Sequence, residues 1–90
     1  MNVIQSPAVD IVMRSLGEEN RRQIAAWFDH LRNWEKDSLV RIHAEQLPSF
    51  ADVYVLKTSK DGWRIVFQLK PDQIKVLDIA SKATIMRFKK

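Results

Sequence analysis

The sequence predicts an α/β (α+β) fold, with an N-terminal helical hairpin packed on one face of a small, mostly antiparallel sheet of three to four strands. Three observations lead there. Apolar residues recur every three or four positions through the first half, the period of a helix face. After Phe50 the apolar period falls to two, in three short runs separated by turn residues. The charge divides at nearly the same place: residues 1–52 hold six Lys/Arg and eight Asp/Glu, a balance of −2, whereas residues 53–90 hold nine and three, a balance of +6.

Asn2 to Gln5 reads as a short strand. Ser6-Pro7 opens a helix, because a serine hydroxyl caps the first turn and proline suits the first helical position. Val9, Val12, Met13 and Leu16 form its apolar stripe, and Gly17 is the expected stop. A second helix follows from about Glu18 to Trp34, with Glu18 and Glu19 complementing the helix dipole. Its stripe is Ile24, Trp27, Phe28, Leu31 and Trp34. Those rings could stack on bases, but the sheet that follows needs cover, and core packing is the reading adopted. A short helix is expected over about Asp37–Glu45. His30 and His43 have no partner at metal-ligand spacing and are read as structural or exposed.

Leu47-Pro48-Ser49-Phe50 breaks the helical pattern. Strands are expected over Val53–Thr58, Trp63–Lys70 and Gln73–Ala80, joined by the Asp61-Gly62 turn signal and a tight Pro71-Asp72 turn. Composition adds bounds. Ninety residues suit one domain, 1–90. With no cysteine there can be no disulfide, thiolate zinc site or cysteine nucleophile, which suits a reducing cytoplasm. The N-terminus has no basic and apolar leader pattern, and no apolar run approaches the roughly 18–20 residues of a membrane span.

Register then gives the basic half a geometry. If Thr58 faces Trp63, then Leu56 faces Ile65 and Tyr54 faces Phe67, all apolar and suited to the helix-covered side. The other side pairs Val55 with Val66 and Lys57 with Arg64. Two cations side by side across a ladder repel, so an anionic ligand, a neighbouring carboxylate or a functional need is expected there. The third strand breaks simple alternation, since Ile74 and Val76 share one face and Leu77 and Ile79 the other. Either both faces are covered or a bulge shifts the pattern. If Leu77 and Ile79 point to the helices, then Asp78, Ala80 and Lys82 share the side of Arg64, and Asp78 offsets part of the charge. These cations could equally be solubilising residues; an arginine near the middle of a sheet is less expected on that account than an edge lysine.

The segment LPSFADVYVLKTSKDGWRIVFQLKPDQIKVLDIASK, preceded by two helices, resembles the RelE/ParE superfamily of toxins from bacterial type II toxin–antitoxin systems. The likeness extends over nearly the whole chain, and its motif-bearing part is residues 52–88. It implies a helical hairpin on one face of the sheet and a basic concave surface on the other. RelE-type members cleave messenger RNA on the ribosome without a metal or other cofactor: the ribose 2′-OH attacks the adjacent phosphate, and cations stabilise the charge that builds on phosphorus. The resemblance assigns Lys57, Arg64 and Lys82 as catalytic. Lys60 and the tail residues Arg87, Lys89 and Lys90 are the accompanying RNA- or phosphate-binding candidates. The implied partners are messenger RNA, the ribosome and a cognate antitoxin that supplies an acidic or amphipathic segment.

Two positions depart from the pattern. Phe88 stands where RelE-like enzymes often carry an aromatic hydroxyl, and a phenyl ring transfers no proton. Val55 fills a slot on the first meander strand that tends to be basic. The alternatives are therefore a ParE-like toxin acting on DNA gyrase, without nuclease activity, and an inactive antitoxin-binding module.

Overall fold

The computed structural model describes residues 1–58 and 62–80. Its elements run β1 (Asn2–Gln5), α1 (Pro7–Ser15), α2 (Glu18–Arg32), α3 (Ser38–His43), β2 (Ala44–Gln46), β3 (Val53–Lys57), β4 (Arg64–Leu69) and β5 (Gln73–Ala80). The strands form one mixed sheet in the order β1-β5-β4-β3-β2. The β2–β3–β4–β5 pairs are antiparallel and β1 runs parallel to β5. No helix among the described residues is long and apolar enough to cross a membrane.

The α1 start follows the expected chemistry. Ser6 Oγ accepts a hydrogen bond from Val9 N and donates one to Leu77 O at 2.9 Å, while Ser6 N donates to Val76 O. One residue thus caps the helix and ties it to β5. Helix α1 stops where expected, with Gly17 at C′, but without the left-handed turn usual there. Leu16 is the C-cap, and Gly17 has φ −63°, an ordinary extended conformation at the N-cap of α2. Burial of Leu16 turns the chain there, without a left-handed glycine. The hairpin is held by Arg21, which donates from Nε to Met13 O and from Nη2 to Leu16 O, satisfying carbonyls that a helix end leaves open.

Helix α2 stops at Arg32, two residues early, but its stripe buries as expected: Ile24, Phe28 and Leu31 are in the core, with Trp27 and Trp34 packed against it. Trp34 meets Phe67 edge-on at 5.6 Å, and Phe67 stacks on Tyr54, the residue opposite it in the ladder. Helix α3 is capped by Asp37, whose carboxylate accepts from Leu39 N and Val40 N and also meets His30 Nδ1 at 2.5 Å. Trp27 lies between His30 and His43, with ring centroids 5.1 and 5.5 Å away.

The expected helix over Asp37–Glu45 ends at His43, and Ala44–Gln46 forms an additional edge strand. Leu47 N donates to Val53 O and its side chain is buried, which pulls the chain into the sheet. The sheet therefore has five strands where three to four were expected. Across β3 and β4 the register is the expected one, from Val53↔Gln68 to Lys57↔Arg64. At β5 the second of the expected alternatives, a bulge, holds. A register shift between Val66↔Asp78 and Phe67↔Val76 leaves Leu77 without a ladder partner on β4. This bulge lets Ile74, Val76 and Ile79 all join the helix-side core. Leu77 packs instead into a second cluster with Leu47, Val53, Val55, Val66 and Ala80, so it does not point to the helices.

Candidate functional site

The central strand β4 begins with Arg64, and the neighbouring β3 ends with Lys57, so the two cations that alternation places together are direct partners in the ladder. Their face is the one turned away from the helices. Val53, Val55, Val66, Leu77 and Ala80 form its apolar floor, and Ala80 stands opposite Arg64 on the other flank. Among the described residues, this face has the Lys57–Arg64 pair at one end, Lys75 at the other and an apolar centre, rather than being uniformly basic.

The two cations differ in setting. Lys57 is exposed, and its Nζ lies 3.2 Å from Glu45 Oε2 on β2. Glu45 is paired with Val55 in the ladder, one step diagonally from Lys57, which is within reach of long side chains. The carboxylate neighbour expected beside the two cations is therefore present in the chain itself. Arg64 is only 4% exposed, and its Nη1 donates to Gly62 O at 2.9 Å. That bond fixes the guanidinium toward the β3–β4 turn, where Thr58 closes the ladder by donating from both N and Oγ1 to Trp63 O. A guanidinium is a planar fork of N–H donors, a geometry that matches phosphate or carboxylate oxygens.

Asp78 reaches the same side, opposite Val66, and its Oδ1 accepts from Ile79 N. Lys82, Lys60, Arg87, Lys89, Lys90 and Phe88 lie outside the described residues. Two residues of this face were not singled out from sequence. Glu45 was assigned to a helix. Lys75 sits across from Gln68 at the far end of the same face, a placement that follows from Ile74 and Val76 facing the helices. His30 is tied to Asp37 on the helical side, and His43 is exposed beside Trp27, away from Lys57 and Arg64.

A helical hairpin on one side of a five-stranded, mostly antiparallel mixed sheet is a RelE-like fold. Solved structures of toxin–antitoxin complexes share that fold. The intact E. coli RelBE toxin–antitoxin complex contains a chain with TM-score 0.70 and 17% identity, covering 89% of this chain and 94% of that one. The archaeal RelE–RelB complex from Pyrococcus horikoshii OT3 gives TM-score 0.70 and 18% identity over 90% and 93%. The RelB–RelE antitoxin–toxin complex from Methanococcus jannaschii gives 0.70 and 9% over 94% and 96%. No protein-family model matches the sequence, and no curated protein matches it significantly.

Proposed function

We propose that residues 1–90 form the toxin component of a type II toxin–antitoxin system, acting in the cytoplasm as a RelE-like, ribosome-dependent endoribonuclease. The observation that carries this reading is the ladder pair Lys57–Arg64 at the end of the central strands of a RelE-like sheet. In the proposed reaction the ribose 2′-oxygen attacks the adjacent phosphorus, its proton leaves to a base, and the bond from phosphorus to the 5′-oxygen breaks as that oxygen gains a proton. Arg64, oriented by Gly62 O, and Lys57, released from Glu45, stabilise the phosphoryl oxygens as negative charge grows on them. Lys82 joins them in this reading, and Lys60, Arg87, Lys89 and Lys90 hold flanking phosphates. The antitoxin is the proposed regulatory partner, and its acidic residues compete for the same cations.

The chemistry needs proton transfer, and Phe88 does not supply it. Lys57 is the candidate proton carrier on β3. The test is the pattern of cellular messenger RNA ends after the chain is expressed. Cleavage within translated regions in wild type, lost in Lys57→Ala, supports the assignment; growth arrest with uncut messages rejects it.

The apolar floor and the deep burial of Arg64 favour a second reading, a ParE-like toxin that binds DNA gyrase. DNA damage with intact messenger RNA after induction selects it. A chain that binds an antitoxin and leaves growth unaffected is instead the inactive module.

A further inference from the structure

The bulge on β5 does more than fill the core. Arg64 faces Ala80 and Val66 faces Asp78, so the even-numbered residues at the end of β5 share the face of the cation pair. Regular alternation would continue that face through Val76 and Ile74 and send Lys75 toward the helices. The extra residue at Leu77 inverts the phase: Ile74 and Val76 are buried in the helix-side core, and Lys75 turns to the side of Arg64. Ser6 fixes this step, donating from N to Val76 O and from Oγ to Leu77 O. Bulges beside functional sites re-aim side chains in this way. Lys75 stands between Gln68 on β4 and Ile4 on β1. Gln68 is four residues along β4 from Arg64, roughly 13 Å at the rise of an antiparallel strand.

Lys75 is half-buried, and its ammonium makes no hydrogen bond or ion pair among the described residues. The carboxylates around it are engaged or offset. Gln68 Nε2 donates to Asp52 Oδ2 at 2.6 Å, which leaves Gln68 Oε1 as the open acceptor of that amide. Asp78, opposite Val66 in the middle of the face, accepts from Ile79 N, and Glu45 meets Lys57. Lys70, whose N donates to Gln73 O, continues the face at the β4–β5 turn, where the exposed Asp72 balances its charge.

The two ends of the face are too far apart for one phosphate to bridge, so a ligand that meets both carries at least two anionic groups. We propose that Lys75, beside the fixed amide of Gln68, forms a second nucleotide subsite. Lys75 holds a further phosphate of the RNA strand whose scissile phosphate lies at Lys57 and Arg64, and Gln68 Oε1 accepts from a base amine. The carboxylates of an acidic peptide would satisfy Lys75, but they only accept hydrogen bonds and leave Gln68 Oε1 unmet. A nucleotide supplies an anion and a donor together. The inference rests on the reading of Lys57 and Arg64 as phosphate-binding, and it makes Lys75 the residue that sets how the strand lies across the sheet.

The test titrates the full chain with 2′-O-methyl cytidine oligonucleotides, which lack the attacking hydroxyl, and follows backbone amides by NMR. A dinucleotide with a single phosphate should shift Lys57 and Arg64 and spare Lys75, whereas a strand of about six nucleotides should shift both ends. Lys75→Gln should bind the longer strand about fivefold more weakly and flatten its salt dependence by about 0.7 in slope. The same variant should bind the dinucleotide as wild type does and melt with wild type in urea, and Lys75→Arg should restore the affinity. A longer strand that shifts Lys57 and Arg64 but not Lys75, or an unchanged salt slope in Lys75→Gln, overturns the inference and leaves the phosphate reading standing. A glutamate peptide of equal charge that loses as much affinity in Lys75→Gln overturns it too, because the contact is then unselective. Strands that move neither Lys57 nor Arg64 defeat the phosphate reading itself, and this inference with it.

Discussion

Lys57 and Arg64 stand directly opposite each other in the β3–β4 ladder, and the charge this concentrates is met from inside the chain by Glu45, 3.2 Å from the lysine amine. Glu45 is half-exposed, so the attraction is screened, and the arrangement costs little to open. A competing phosphate can therefore displace it. Replacing Glu45 with Gln is expected to change stability by no more than about 1 kcal/mol, with the difference shrinking as salt is added. Urea melts of both proteins at low and high salt check this.

Ser6 caps α1 and donates to Leu77 O at the bulge of β5. Ser6→Ala removes both bonds and leaves the Leu77 carbonyl short of a donor. A loss of about 1–2 kcal/mol is expected, read as a shift in urea midpoint with unchanged slope.

His30 and Asp37 join α2 to α3. The hydrogen bond from His30 holds the Asp37 carboxyl below its usual value of 3.8; desolvation opposes it, and the Val40 amide, the charge of His30 and the Leu39 amide add to the lowering. A carboxylate with a depressed folded-state pKa stabilises the fold above its unfolded value, and that contribution is lost as pH falls through the folded one. The thermal midpoint of wild type should thus decline below about pH 4 more steeply than that of Asp37→Asn. Parallel declines would remove Asp37 from the acid response.

Phe67 is fully buried between Trp34 and Tyr54. Phe67→Ala should cost about 3–5 kcal/mol, a large share of the stability of a small domain. Urea denaturation of both proteins, followed by near-ultraviolet dichroism, reads this as a lowered midpoint.

Much of the sheet was readable because strand alternation is unforgiving. Once Leu56 and Tyr54 are assigned to the helix side, Lys57 and Arg64 have to share the other. The β5 irregularity was visible as a conflict between Val76 and Leu77, although its position required the ladder with Val66 and Phe67. Strand β2 was not readable. Ala44-Glu45-Gln46 are good helix formers, and the strand exists because β3 offers an open edge and Leu47 has a buried place to go. Missing that strand hid the Glu45–Lys57 pair. The depth of Arg64 was hidden as well, since burial of a charged side chain depends on tertiary neighbours that alternation does not specify.

The central claim is that the Lys57–Arg64 pair holds a scissile phosphate of messenger RNA. Sequencing the 5′ ends of cellular transcripts after brief induction tests it most directly, comparing wild type with Lys57→Ala at equal protein level. The expected result is new ends within translated regions for wild type and their loss in Lys57→Ala, with the variant still folded. Ends that are equally abundant in the variant, or absent from wild type despite growth arrest, would contradict it.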